Sequence, residues 1–99
     1  MTKVRDKQHI KNVRAFPCFN CMTTLNIDPH HLLKLPEGMS DEESGTGQKN
    51  GDNWTIPLCR RCHSALHMAG SEEKFFGKDR ALDAIDNAKC LWKRTELLR

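Results

Sequence analysis

The sequence predicts a small α+β domain whose two short strands and flanking helices are stapled by a zinc ion. Three observations predict it. Cys18-x2-Cys21 and Cys59-x2-Cys62 are two hooks of the spacing that grips a tetrahedral zinc with four thiolates. Strand-like apolar segments lie between the hooks, around residues 25–35 and 54–58. Helical periodicity flanks them, at 6–15 on one side and at 60–68 and 80–97 on the other.

Residues 6–15 open on Asp6, a good N-cap, and Ile10, Val13 and Phe16 recur at helical spacing until Pro17 stops the run. Cys18-Phe19-Asn20-Cys21 is the first knuckle. Leu25, Ile27, Leu32, Leu33 and Leu35 predict one or two short strands, interrupted at Pro29 and ended at Pro36. Residues 36–51 carry four glycines and little that is apolar, so they read as a loop, long enough for so small a domain to suggest a functional or disordered segment. Its Gly45-Thr46-Gly47-Gln48-Lys49 is no phosphate-binding P-loop, because the Gly-x4-Gly-Lys spacing is missing. Trp54 to Leu58 is the returning strand. A helix from Arg60 to Met68 follows, with Gly70 as its stop. Glu72 to Phe76 adds a short helical turn. Leu82, Ile85, Ala88, Leu91, Trp92 and Leu97 then predict an amphipathic helix that covers the core, so that residues 72–97 form the C-terminal helices.

Ninety-nine residues fit one domain spanning 1–99, but only 37% are apolar and tyrosine is absent. The core is thin. A structural zinc, adding roughly 10–16 kcal/mol of apparent binding free energy, competes with the whole net stability of such a chain, so the metal-free protein is expected to be largely unfolded around residues 18–62. A disulfide framework is the other reading of the cysteines. Nothing at the N-terminus resembles a secretory leader, no stretch reaches the roughly 18 apolar residues of a membrane span, and the expected location is therefore cytoplasmic, with reduced thiols. Cys90 has no partner by spacing and is expected to be a small buried apolar residue.

Net charge is +3 and the pI about 8.7, which permits nucleic-acid binding without demanding it. The basic residues cluster. Lys3, Arg5, Lys7, Lys11 and Arg14 crowd the first segment and Arg60 and Arg61 sit inside the second knuckle, whereas Asp41, Glu42 and Glu43 lie mid-chain.

A zinc given four thiolates has no open position, so His30, His31, His63 and His67 belong to a second centre or to none. His63 and His67, four apart on a helix, share one face and can offer two imidazole nitrogens to one cation. His30 and His31, adjacent on an extended segment, point to opposite sides. A hairpin of 25–35 and 54–58 packed on the 60–68 helix brings one of them to that cation and leaves the other beside it as a free imidazole, which is the equipment of metal-assisted phosphodiester hydrolysis.

Cys18-x2-Cys21, Pro29-His30-His31-Leu32 and Asp52-Asn53-Trp54-Thr55-Ile56-Pro57-Leu58-Cys59-Arg60-Arg61-Cys62-His63, running on to His67, resemble the HNH (His-Me finger) endonucleases of the zinc-knuckle type found often in phages and prophages. The resemblance continues less firmly through Gly70, Glu73, Phe75 and Phe76, and in all covers roughly two thirds of the chain. It implies a ββα-metal core and a metal-dependent DNA endonuclease. It makes His31 the general base and His63 and His67 ligands of a catalytic divalent metal (Mg2+, Mn2+, Ni2+ or Zn2+), and it puts His30 where these enzymes often place a further ligand. The family's middle asparagine fits imperfectly: Asn53 lies one position from the common spacing, which Trp54 fills, and Asp52 matches an acidic residue of the phage-type subgroup. Both are candidates. Phosphate contacts are expected from Arg60, Arg61, Lys49, Lys11 and Arg14, with DNA as partner and RNA also allowed. No base-reading module is visible, so specificity is expected from substrate shape, a protein partner or a homodimer. The alternative is a noncatalytic zinc module that binds nucleic acid or protein and uses its histidines for packing or a second structural metal. A C2H2 finger fits badly, since His63 follows Cys62 at once rather than after about 12 residues.

Overall fold

A computed structural model describes residues 4–35 and 50–99. The expected loop at 36–51 thus falls mostly outside the described residues, and Lys49 falls there too. The elements run α1 (Lys7–Arg14), β1 (Ile27–His31), a 3₁₀ turn (Asp52–Trp54), β2 (Thr55–Cys59), α2 (Arg60–Ala69), α3 (Glu72–Phe76) and α4 (Lys78–Leu97). The predicted α+β class is what the chain adopts. Its sheet is a single antiparallel pair among the described residues.

Helix α1 starts where the sequence suggests, because the Asp6 carboxylate accepts the His9 backbone N–H at 3.0 Å. Helix α2 ends at Gly70, whose φ of 103° is the left-handed conformation open to glycine without a Cβ penalty, and whose N–H returns to the Leu66 carbonyl. Helix α3 is capped by the Ser71 hydroxyl.

Pro29 does not interrupt the strand as expected. It sits in the middle of β1, opposite Pro57 in the register that also pairs His30 with Ile56 and His31 with Thr55. Neither proline costs a ladder bond, because in an antiparallel pair alternate residues turn their N–H and C=O groups outward. Pro57 shows that outward turn: its carbonyl accepts the Phe19 N–H at 2.7 Å. Two facing prolines therefore fit one non-hydrogen-bonded rung.

All five residues of β2 are buried, although the sheet has only two strands. The reason is that α1, α2 and α4 all pack on it, so the run Thr-Ile-Pro-Leu-Cys is apolar without alternation. Leu32, Ile56, Leu58, Leu66, Ala84, Ile85 and Ala88 form one cluster with Cys18, Cys59 and Cys62. The thiol hooks are thus part of the core they staple.

Helix α4 begins two residues earlier than expected, and its buried stripe keeps Ile85, Ala88 and Leu91 of the expected set but departs from it at the other positions. Ala84, Ile85, Ala88, Leu91 and Thr95 face inward, while Leu82 and Leu97 are exposed and Trp92 is half-buried. Cys90 is exposed as well, which corrects its assignment to the core. The stripe is turned because a polar residue, Thr95, lies inside it. Its hydroxyl meets His9 Nδ1 at 2.7 Å and accepts from Asn12 Nδ2 at 3.1 Å, and the His9 ring stands edge-on to Trp92. No helix among the described residues is long and apolar enough to cross a membrane.

His9, fully buried between α1 and α4, escaped the sequence reading. Burial holds its pKa below the usual 6.5, and the Asp52 charge only partly opposes this. Below pH 6.5 the unfolded chain takes up a proton that the folded chain refuses, so the stability tied to neutral His9 is present above that pH and is lost as pH falls. In zinc-replete buffer, the urea midpoint of the wild type should fall more steeply between about pH 7 and pH 5.5 than that of a His9→Gln variant. Parallel slopes for the two proteins would refute this role.

Candidate metal centre and histidine cluster

The four sulfurs of Cys18, Cys21, Cys59 and Cys62 all lie within 4.8 Å of one another. Cys21 Sγ and Cys59 Sγ are 3.7 Å apart. That is far beyond a disulfide bond and close to the sulfur–sulfur edge of a zinc tetrathiolate, about 3.8 Å for Zn–S bonds of about 2.3 Å. All five cysteines are free in this structure, which fits the metal reading of the two hooks rather than the disulfide one. Each hook is shaped by its own backbone. The N–H groups of Cys21 and Cys62 point at the sulfurs of Cys18 and Cys59, each at 3.5 Å, and Met22 takes a left-handed φ of 67° as the first turn closes. Asn20 adds a side-chain N–H toward Cys62 Sγ at 3.4 Å.

Two of the thiols are pushed in opposite directions. Burial pushes Cys62 up to about 12, while at Cys18 the backbone N–H groups of Cys21, Cys59 and Asn20 outweigh burial and bring it down to about 7. Four neighbouring thiolates need a cation. The group can hold a metal such as zinc, as the spacing of the hooks predicts.

The histidines divide as strand geometry requires. His30, 1% exposed, turns toward α2, where one ring nitrogen from each of His30, His63 and His67 lies within 4.8 Å of the others. The rings stand edge to face with centroids 4.8 to 5.5 Å apart, and His63 Nε2 and His67 Nε2 are 3.1 Å apart. His30 Nε2 meets Glu72 Oε2 at 2.9 Å, whereas His30 Nδ1 is buried with no hydrogen-bond partner. His63 Nδ1 is 3.3 Å from Asp28 Oδ2. Carboxylates thus engage the outer nitrogens of two rings, the support that metal-binding histidines generally carry.

His31, on the opposite side of the strand, places Nε2 2.8 Å from Asp52 Oδ1. The other oxygen of Asp52 accepts the Asp6 N–H at 2.7 Å, so one carboxylate ties His31 to the start of α1. Of the two candidates near the middle-asparagine position, Asp52 is the one in contact with His31. The Asn53 side-chain oxygen is buried and makes no hydrogen bond.

Arg60 and Arg61 are exposed on α2, and Lys11 and Arg14 are exposed on α1. Arg60 stands 3.9 Å from Asp28, with its side chain 74% exposed. Two acidic residues were missed. Asp28 was legible in principle, since it lies two residues before His30 on a strand and so shares its face. Glu72 gave no such signal, because it reaches His30 from another element. Burial alone would raise its pKa, but hydrogen bonds from His30, Leu33 and Lys34 leave the carboxyl below its usual value.

A family model described as "Protein of unknown function (DUF968)" matches residues 1–88. The Uncharacterized protein YdfU of Escherichia coli (strain K12) is 34% identical over 61 residues, which cover 62% of this chain and 16% of that protein. The chain therefore spans a small part of that relative's length. No solved structure matches it.

Proposed function

We propose that this chain, which belongs to the DUF968 family, is a metal-dependent endonuclease of the HNH type that hydrolyses phosphodiester bonds of DNA on a ββα-metal core. The observation that carries the reading is the convergence of one ring nitrogen from each of His30, His63 and His67, together with a His30 Nδ1 that is buried and unpartnered among the described residues. Buried polar nitrogens are normally satisfied, so a lone pair left bare among two further imidazoles suits a cation. Imidazole donors suit Zn2+ and Ni2+, and open positions beside them would admit a phosphate. A divalent cation there supplies electrostatic stabilisation of the phosphate and of the leaving 3′ oxygen.

His31 and Asp52 supply the base. Nε2–H of His31 donates to Asp52, which leaves the lone pair on Nδ1. That nitrogen takes a proton from the attacking water as the water oxygen bonds to phosphorus and the P–O3′ bond breaks, with solvent protonating the leaving oxygen. Asp52 then stabilises the imidazolium. Arg60, Arg61, Lys11 and Arg14 hold backbone phosphates, which gives affinity with little base preference. The tetrathiolate zinc has no open position and keeps a structural role.

Incubation with supercoiled plasmid and Mg2+, Mn2+ or Ni2+ should yield nicked and then linear DNA, and EDTA should abolish it. Absence of cleavage with every ion, with DNA still bound, would favour the noncatalytic zinc module.

A further inference from the structure

We infer that Glu72 is the positioning residue of the histidine cluster: by accepting Nε2–H of His30 it fixes the tautomer whose Nδ1 lone pair faces the divalent cation. The inference rests on the metal site proposed above and names a residue that neither the sequence motifs nor their resemblance pick out.

Glu72 opens α3 and is only 4% exposed. Oε2 accepts from His30 Nε2 at 2.9 Å and from the Leu33 N–H at 2.9 Å, and Oε1 accepts from the Lys34 N–H at 3.1 Å. Among the described residues, every donor on it comes from β1 or the residues that follow. A carboxylate this buried persists only when donors replace its hydration, and here the backbone supplies two of the three. The third donor is a side chain with a choice. Neutral imidazole carries one proton, and a carboxylate against Nε2 commits that proton to Nε2. The lone pair is then forced onto Nδ1, the atom that has no partner.

A purely structural carboxylate would need only the two backbone donors to tie β1 to α3. His30 is different because its opposite nitrogen is buried and bare while His63 and His67 lie beside it. Asp28 stands in the same relation to His63, but it is 27% exposed and also faces Arg60, so its grip is looser. Glu72 also holds Leu33 and Lys34, and so fixes the end of the strand that carries both His30 and His31. One buried carboxylate thereby sets a ligand's tautomer and the placement of the base-bearing strand.

The test uses the chain with its tetrathiolate zinc loaded. A long-range 1H–15N spectrum of the histidine side chains should show wild-type His30 protonated on Nε2. Ni2+ titrated calorimetrically into the Glu72→Gln variant should bind about 10–100-fold more weakly than to wild type, with cleavage recovering as Ni2+ is raised. His30 protonated on Nδ1 in the wild type, or unchanged Ni2+ affinity in the variant, overturns the role of Glu72. A wild type that binds no second metal would defeat the proposed nuclease site instead, and the tautomer spectrum, which needs no second metal, still judges Glu72. Where circular dichroism shows that Glu72→Gln does not fold, Glu72→Asp keeps the charge, withdraws the oxygens from His30 and should show the same weakened Ni2+ binding.

Discussion

Changing Cys59 and Cys62 together to serine should strip the protein of zinc and abolish its cooperative melting. The four sulfurs already lie within 4.8 Å of one another, close enough to share a metal such as zinc, and three of the four cysteines are packed in the same cluster as Leu32, Ile56, Leu58 and Leu66. Losing the metal therefore opens the core itself, not a peripheral clasp. A structural zinc contributes roughly 10–16 kcal/mol of apparent free energy, whereas a domain's net stability is about 5–15 kcal/mol, so a chain with this little apolar material has nothing comparable to replace it. Elemental analysis after dialysis should find one tightly held zinc per wild-type chain and none in the variant, with the near-ultraviolet dichroism of the folded protein gone. A variant that retains zinc and melts like the wild type would place the metal elsewhere.

The features legible in the sequence were those written in local code. Hook spacing, the Asp6 cap, the Gly70 stop and the i, i+4 relation of His63 and His67 each involve residues a few positions apart, and each stands where expected. The opposition of His30 and His31 followed from strand pleat alone. The misses share a different cause. Pro29 reads as a strand breaker until its rung and its partner Pro57 are known, and those depend on register. Apolar periodicity puts Leu82 and Leu97 in the buried stripe of α4, and the want of a partner makes Cys90 a small buried residue, but all three are exposed, while the polar Thr95 is buried against His9 and Asn12 of α1. A hydrophobic pattern cannot reveal a buried hydrogen-bond network whose partners lie at the other end of the chain. The same holds for Glu72. Its three donors come from residues around 30–34, and no window of sequence contains both sides. In this chain the clustered cysteines and histidines were legible and the carboxylates that contact the histidines were not, since those contacts are a tertiary property.

The sharpest separation among the histidines should come from kinetics. His31→Ala should cut the rate of DNA cleavage by about 10²–10⁴-fold, because a general base acts only as the transition state forms. Zinc content, melting and DNA affinity should stay near wild type, since His31 lies outside both the thiol site and the cluster of His30, His63 and His67. His63→Ala and His67→Ala instead remove nitrogens of the proposed metal site. Their losses should be partly recovered by raising the divalent ion concentration, and no concentration should rescue His31→Ala. Asp52→Asn offers an internal control, for it keeps the size of the group that holds His31 Nε2 while removing its charge, and so should slow cleavage less than His31→Ala without weakening metal binding. Initial rates across a metal titration for the four variants, with circular dichroism on each, decide the matter. Wild-type cleavage by His31→Ala would take the base away from His31, and rescue of that variant by metal would move His31 into the ligand set.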